Sequence, residues 1–318
     1  MLHRMRMDPT NGEIRIGVSR CLLGDNVRYD GGHKHNAFVA EKLASVVRLV
    51  PVCPEVEIGM STPREAIRLI RGGDTPRLVG VHSGSDYSAD MRRFARQRAA
   101  ELRRHDLHGY VLKKGSSSCG LFRMSVYGTG GAPSRDGQGS FASALAGAIP
   151  DLPMEEEGRL DDPGLRENFL TRVFAYRRLE RLLSGRWRIG DLVAFYTTEK
   201  LLLMAHDAKT YAELGRLIAG AKGTTRKRLG ADFRSLFMSG LSKLATPRNH
   251  ARVLIHMADC LKKLLDADGE AELHQAIGDY PEGVFPWSSR SLWSVILFGC
   301  MMWLTSRVRL TLRPIPRN

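Results

Sequence analysis

Between Ile14 and about Pro150, short β-branched runs alternate with amphipathic helical stretches, and that alternation admits few folds. Ile14–Ser19 reads as a strand, Ala37–Val47 as a helix, Arg48–Val52 as a strand, Ala89–Arg104 as an arginine-rich helix and Tyr110–Lys113 as a strand. Strands separated by helices pair in parallel, so an α/β domain is expected here. Past the acidic, proline-bearing segment Asp151–Gly164 the texture turns to helices only: Leu165–Ser184, Ile189–Ala205, Thr210–Ala221, a stretch through Lys243, Arg248–Asp266 and Glu270–Ile277. The domain boundary is placed at 155, giving residues 1–155 and 156–318.

In a parallel sheet the ligand crevice lies beyond the carboxyl ends of the strands. Cys21, Cys53 and Cys119 each follow an apolar stretch and adjoin a glycine or proline, so all three are expected around one crevice. Three loop-borne thiolates suit iron–sulfur or zinc, and no histidine flanks them at finger spacing, which disfavours zinc. Three thiolates leave one iron of a four-iron cluster open, where four would close it. The competing reading is of ordinary buried core cysteines, since no Cys-x-x-Cys pair is present, and Cys260 and Cys300 are read that way.

Nearby polar residues are the candidates for chemistry. Glu55, two residues past Cys53 across the rigid Pro54, suits an acid or base, the alternative being a surface glutamate. Asp30 sits in an Asp-Gly-Gly turn and can approach a substrate or belong to a solvated loop. Ser116 and Ser118 precede Cys119 with hydroxyls suited to an anion or a base edge, or merely form a loop. Phosphate-loop, dinucleotide-fingerprint and serine-elbow signatures are absent from the sequence.

Composition narrows the partners. Apolar residues make 43% and charged ones 26%, as in a folded protein rather than a disordered one. Five cysteines, odd in number and widely spaced, do not form a secreted disulfide framework, so a cytoplasmic setting is expected. The first thirteen residues hold no apolar signal core, and the run Leu292–Leu304 is shorter than the ~20 residues a membrane span needs. Net charge is +14, and residues 159–318 carry 26 Lys and Arg against 16 Asp and Glu. Such an excess favours an anionic partner, of which nucleic acid is the commonest.

Four motifs in order, Cys21-Leu-Leu-Gly-Asp-Asn-Val-Arg-Tyr-Asp-Gly31, Pro51-Val-Cys-Pro-Glu-Val56, Thr62-Pro63-Arg64 and Lys113-Lys-Gly-Ser-Ser-Ser-Cys-Gly120, closely resemble the TudS-type thiouracil desulfidase family. The resemblance implies a Rossmann-like α/β domain carrying a [4Fe-4S] cluster on Cys21, Cys53 and Cys119, with one open iron for the sulfur of a thiolated pyrimidine. It implies non-redox desulfuration with Glu55 as acid/base and Ser116 positioning the substrate. Family members usually carry proline where this chain has Ser117.

The second half resembles the YbgA-like helical domain through Glu155–Leu160, Arg166–Phe169, Arg172–Tyr176, Lys200–His206 and Asn249-His250. Fusion of the two gives the arrangement of RudS-like proteins, which implies a tRNA 4-thiouridine desulfidase. Candidate tRNA contacts are Arg172 and Arg177 with Arg178 and Arg181, and the stretch Lys222, Arg226, Lys227, Arg228; each group also reads as a solvated helix face. A desulfidase of free 2- or 4-thiouracil, and a non-catalytic iron–sulfur RNA-binding protein, are the alternatives. From about Pro286 the resemblance fades. Met301-Met302-Trp303 back-translates uniquely, and a neighbouring frame reads Asp-Val as the family does, so a frameshifted tail over 286–318 is expected.

Overall fold

In the computed structural model, residues 13–73, 75–128, 132–261, 270, 271, 274, 275, 277 and 278 are described. The apolar run after Leu292, Cys300, the tail and the Cys260 side chain lie outside them.

The first sheet is all parallel, in the order β2 (Arg48–Val52), β1 (Arg15–Ser19), β5 (Leu107–Leu112), β8 (Met154–Glu156). Alternation along these strands sends side chains to both faces. Ile16, Val18 and Val111 enter one apolar cluster with Leu22, Val39, Leu43, Phe169 and Val173, the last two on α4 (Pro163–Ser184). On the other face Tyr110 meets Phe141 of α3 (Ser140–Ala148) edge-on at 5.9 Å, and α2 (Ser88–Arg104) buries Met91, Ala95, Ala99 and Leu102. Gly17 faces Tyr110 across the β1–β5 register, and a Cβ there would stand 2.2 Å from the ring. Only glycine leaves room for that aromatic residue.

The strand–helix reading is met in outline, with local differences, among them strand β8 inside the acidic segment that marks the expected domain boundary. The helix expected over Ala37–Val47 is a short π-helical segment, Phe38–Leu43. A second, mixed sheet, unexpected from the sequence, orders β4 (Arg77–Gly80), β3 (Ile67–Ile70), β6 (Met124–Tyr127) and β7 (Ser134–Gly137). The stretch expected as one helix through Ala205 breaks into α5 (Ile189–Thr198) and α6 (Lys200–Ala219), and α6 has an extended residue at Asp207 (φ −158°, ψ 98°).

Two compact units result: one runs to Arg188 and takes in Thr225–Ser239, and the other comprises Ile189–Thr224 and the chain from Gly240. In the second, helix α8 (Pro247–Leu261) contributes Ala251, Leu254, Met257 and Ala258 to a core with Ala205 of α6. Asp207, at the break in α6, bonds Thr210 at 2.6 Å and pairs with Lys243. No described helix is long and apolar enough to cross a membrane.

His108, 2% exposed at the start of β5, accepts the Arg15 backbone N–H on Nδ1 at 3.0 Å. Burial first, then the charges of Arg177 and Arg15, with Asp106 opposing, lower its pKa to about 4. The folded state therefore favours neutral imidazole, while the unfolded chain takes up a proton near the ordinary value of about 6.5. Stability is expected to fall by about 3 kcal/mol as pH drops from about 6.5 to about 4. Urea midpoints across that window would be flattened by His108→Gln, which keeps an acceptor for Arg15.

Candidate functional site

Three adjacent strands deliver three thiols to one edge. Cys21 lies in the single 3-10 turn Arg20–Leu23 that directly follows β1, and Cys53 directly follows β2 as the cap of the short helix α1 (Pro54–Glu57). Cys119 ends the Lys113–Ser118 loop that leaves β5. All three line one cavity of about 210 Å3, together with Glu55, Arg64, Lys113 and Ser116. Gly139 packs on the last loop, where a Cβ would come within 2.5 Å of the Ser118 carbonyl.

Polar groups around the cavity are tied down. Arg64 donates to Glu55 Oε2 from Nε at 3.0 Å and from Nη2, and Nη2 also reaches the Val27 carbonyl at 2.9 Å. That same carbonyl accepts from Cys53 Sγ at 3.7 Å, so one oxygen links a thiol to the guanidinium. Ser118, wholly buried, donates to the other Glu55 oxygen. Ser116 Oγ accepts the backbone N–H groups of Ser118 (3.3 Å) and Cys119 (3.2 Å), which shapes the last turn before the thiol. Lys113 pairs with Glu157, which also accepts the Lys114 N–H at 2.7 Å.

Burial pushes the Cys21 thiol up to about 11, with the charge of Cys53 adding to it, and burial likewise raises Cys53 and Cys119. Left to the protein alone these are protonated thiols. A bound metal centre reverses that logic, because its positive charge deprotonates a coordinating thiol. Among the described residues no three His, Cys, Asp or Glu side chains converge on one point as a single ion requires. The sulfurs instead border a wider space. Three soft sulfur donors, with Val27, Val52, Pro54 and Ile67 in the same wall, fit a polynuclear iron–sulfur group better than a hard cation.

Other candidates fall elsewhere. Asp30 is exposed and bonds its own turn, accepting from Gly32 N at 3.1 Å. Arg172 is 14% exposed and lies 3.7 Å from Glu155, so it faces inward, and Arg177 lines a separate cavity at the other end of β5. Arg226 donates to the Trp187 carbonyl at 3.1 Å, Arg228 pairs with Asp232 at 3.6 Å, and Lys222 and Lys227 are exposed. Arg64 is the residue whose part sequence reasoning left unassigned. Its signal was the Thr62-Pro63-Arg64 motif, nine residues past Glu55.

The fold and this edge define an α/β domain that gathers three thiols beside a clamped carboxylate. The family model for 2-thiouracil desulfurase matches residues 16–157, and the chain belongs to that family. The model of a protein family of unknown function, DUF1722, matches residues 200–291. The uncharacterized protein YbbK of Bacillus subtilis (strain 168) is 34% identical over 110 residues, covering 33% of this chain and 72% of YbbK. The uncharacterized protein YbgA of Escherichia coli (strain K12) is 27% identical over 121 residues, 38% of this chain and 72% of YbgA. Among solved structures, the [4Fe-4S]-dependent thiouracil desulfidase TudS aligns with a TM-score of 0.41 at 30% identity, covering 50% of this chain and 99% of TudS.

Arg64 and Glu55 are 4% and 14% exposed. Removing one partner of such a buried pair strands the other. Arg64→Ala is expected to cost about 3 kcal/mol in the urea unfolding midpoint. Arg64→Lys should recover only part of it, because one ammonium cannot reach both the carboxylate and the Val27 carbonyl as the guanidinium fork does.

Proposed function

We propose that this protein is a [4Fe-4S]-dependent desulfidase that hydrolyses the C=S bond of a thiolated uracil, with 4-thiouridine of tRNA as its substrate. The observation that carries the reading is a carboxylate held by Arg64 and Ser118 in the wall of a cavity that also holds three thiols. Cys21, Cys53 and Cys119 are the ligands. When bound, the cluster supplies a Lewis-acidic iron that prefers a soft sulfur and so polarises the C=S bond.

Glu55 is the acid/base residue. With Oε2 held by Arg64, it takes a proton from the water that adds to the carbon and returns it as hydrosulfide leaves, giving the carbonyl plus hydrogen sulfide without any change of oxidation state. Ser116 keeps its hydroxyl hydrogen for the substrate, since its oxygen already accepts from two backbone amides. That hydrogen suits the remaining carbonyl of the pyrimidine ring. The pyrimidine sits in the cavity that the three thiols, Glu55 and Ser116 line together.

A macromolecular substrate is favoured over a free base by the charge, 26 Lys and Arg against 16 Asp and Glu over residues 159–318, and by the second domain. A cytoplasmic location follows from such a substrate. The test is anaerobic purification, followed by sulfide release from thiolated tRNA and from free thiouracil. Glu55→Gln should lower kcat by about 10² to 10⁴ with iron content and cluster absorption retained. Each Cys→Ser variant should lose the cluster absorption. Full-speed turnover by Glu55→Gln, or no cluster after anaerobic reconstitution of the wild type, would refute the reading.

A further inference from the structure

Helix α2 has two unlike sides. At 100° per residue, Arg92, Arg96 and Arg103 fall within about 40° of one another, and Ala99 and Ala100 separate the last two along the chain. Asp90 and Glu101 lie on the far side, where they pair with Arg93 and Arg98. The arginine side therefore carries no acid. Among the described residues Arg92, Arg96, Arg103 and Arg104 have no ion-pair partner, and all four are exposed.

Arg96, Arg103 and Arg104 border a groove floored by Ala99 and Ala100 of α2 and Ala148 of α3. Small side chains there let a bulky, charged backbone approach. Arg103 and Ala148 also border the cavity at the amino end of β5, of about 160 Å3, which is lined further by His108, Arg177, Arg181 and Ser184. Groove and cavity thus adjoin.

Two donors in that cavity point to an anion. Arg177 Nε is buried with no hydrogen-bond partner. His108 accepts the Arg15 N–H on Nδ1, which leaves Nε2 to carry the ring hydrogen. The carboxylates of Asp151 and Glu180 in the same wall are already engaged by Arg234, at 3.2 and 2.8 Å. Asp106 is the remaining acid of the lining.

We infer that the α2–α3 groove and the adjoining Arg177 cavity form a docking track for the phosphodiester backbone of the RNA substrate. The inference rests on the tRNA reading above and adds an RNA contact on the unit that carries the thiols. Spacing supports it: Arg96 and Arg103 are about 10 Å apart along the helix at 1.5 Å per residue, about three inter-phosphate steps of one duplex strand at ~3.4 Å each. Guanidinium groups bind phosphate through paired donors.

The test is the salt dependence of tRNA binding, followed by fluorescence anisotropy on the cluster-loaded full-length protein. R96Q/R103Q/R104Q should weaken binding at least about tenfold at low salt and lower the slope of log K against log salt by roughly 2 to 3. R96K/R103K/R104K, which keeps the charge, should keep the slope, and R177Q should lower it by about one unit. Melting temperatures of the variants within a few degrees of wild type would exclude unfolding as the cause. Wild-type binding matched in affinity and slope by the triple glutamine variant would overturn the track while leaving the tRNA reading in place. Wild type that releases sulfide from free thiouracil yet binds no tRNA would overturn both the track and the tRNA substrate, with desulfuration intact.

Discussion

Everything at the candidate centre depends on the parallel pairing of β1 with β2 and β5. Parallel register aligns the carboxyl ends of neighbouring strands, so the residues that follow them must emerge side by side. A 3-10 turn, a one-turn helix and a seven-residue loop then carry Cys21, Cys53 and Cys119 into one space. The register also explains Gly17. Its missing side chain admits Tyr110 from the neighbouring strand, and Tyr110 in turn anchors α3 through Phe141.

The second constraint is electrostatic. A carboxylate this buried needs compensation on both oxygens, and Arg64 and Ser118 supply it from separate loops. Because Arg64 also holds the Val27 carbonyl that Cys53 donates to, segments bearing three of the four motifs are mechanically joined. The thiols, by contrast, have no cationic partner strong enough to offset their burial. That asymmetry leaves the thiols protonated by burial while the carboxylate is held in place by its own partners.

Much of this is legible in the sequence, and what is missing has physical reasons. Strands β1 and β2 and helix α2 announce themselves through period and β-branching, and a thiol after each strand follows from topology. The second sheet does not, because its four-residue strands alternate too briefly to stand out from loops. The break at Asp207 is hidden because its neighbours are good helix formers and the side chain that favours it bonds Lys243, far along the chain. The role of Arg64 is invisible for the same reason: a salt bridge is a tertiary contact, and spacing alone shows only an arginine after a proline. Arg172 misleads in the opposite direction, since a helical arginine suggests solvent while its side chain faces Glu155.

Charge counted along the chain and charge placed in space also differ. Residues 159–318 hold the numerical excess, yet many of its arginines are engaged: Arg172 near Glu155, Arg228 with Asp232, Arg234 with Asp151 and Glu180. The first half looks nearly balanced, but several of its acids are engaged internally, with Glu155, Glu156 and Glu157 accepting from Arg159, Leu121 and Lys113. The outer side of α2 is uncompensated among the described residues, with Arg92, Arg96, Arg103 and Arg104 lacking an ion-pair partner. A polyanion responds to the field left after internal pairing, so the half with the smaller count presents an acid-free cationic stripe.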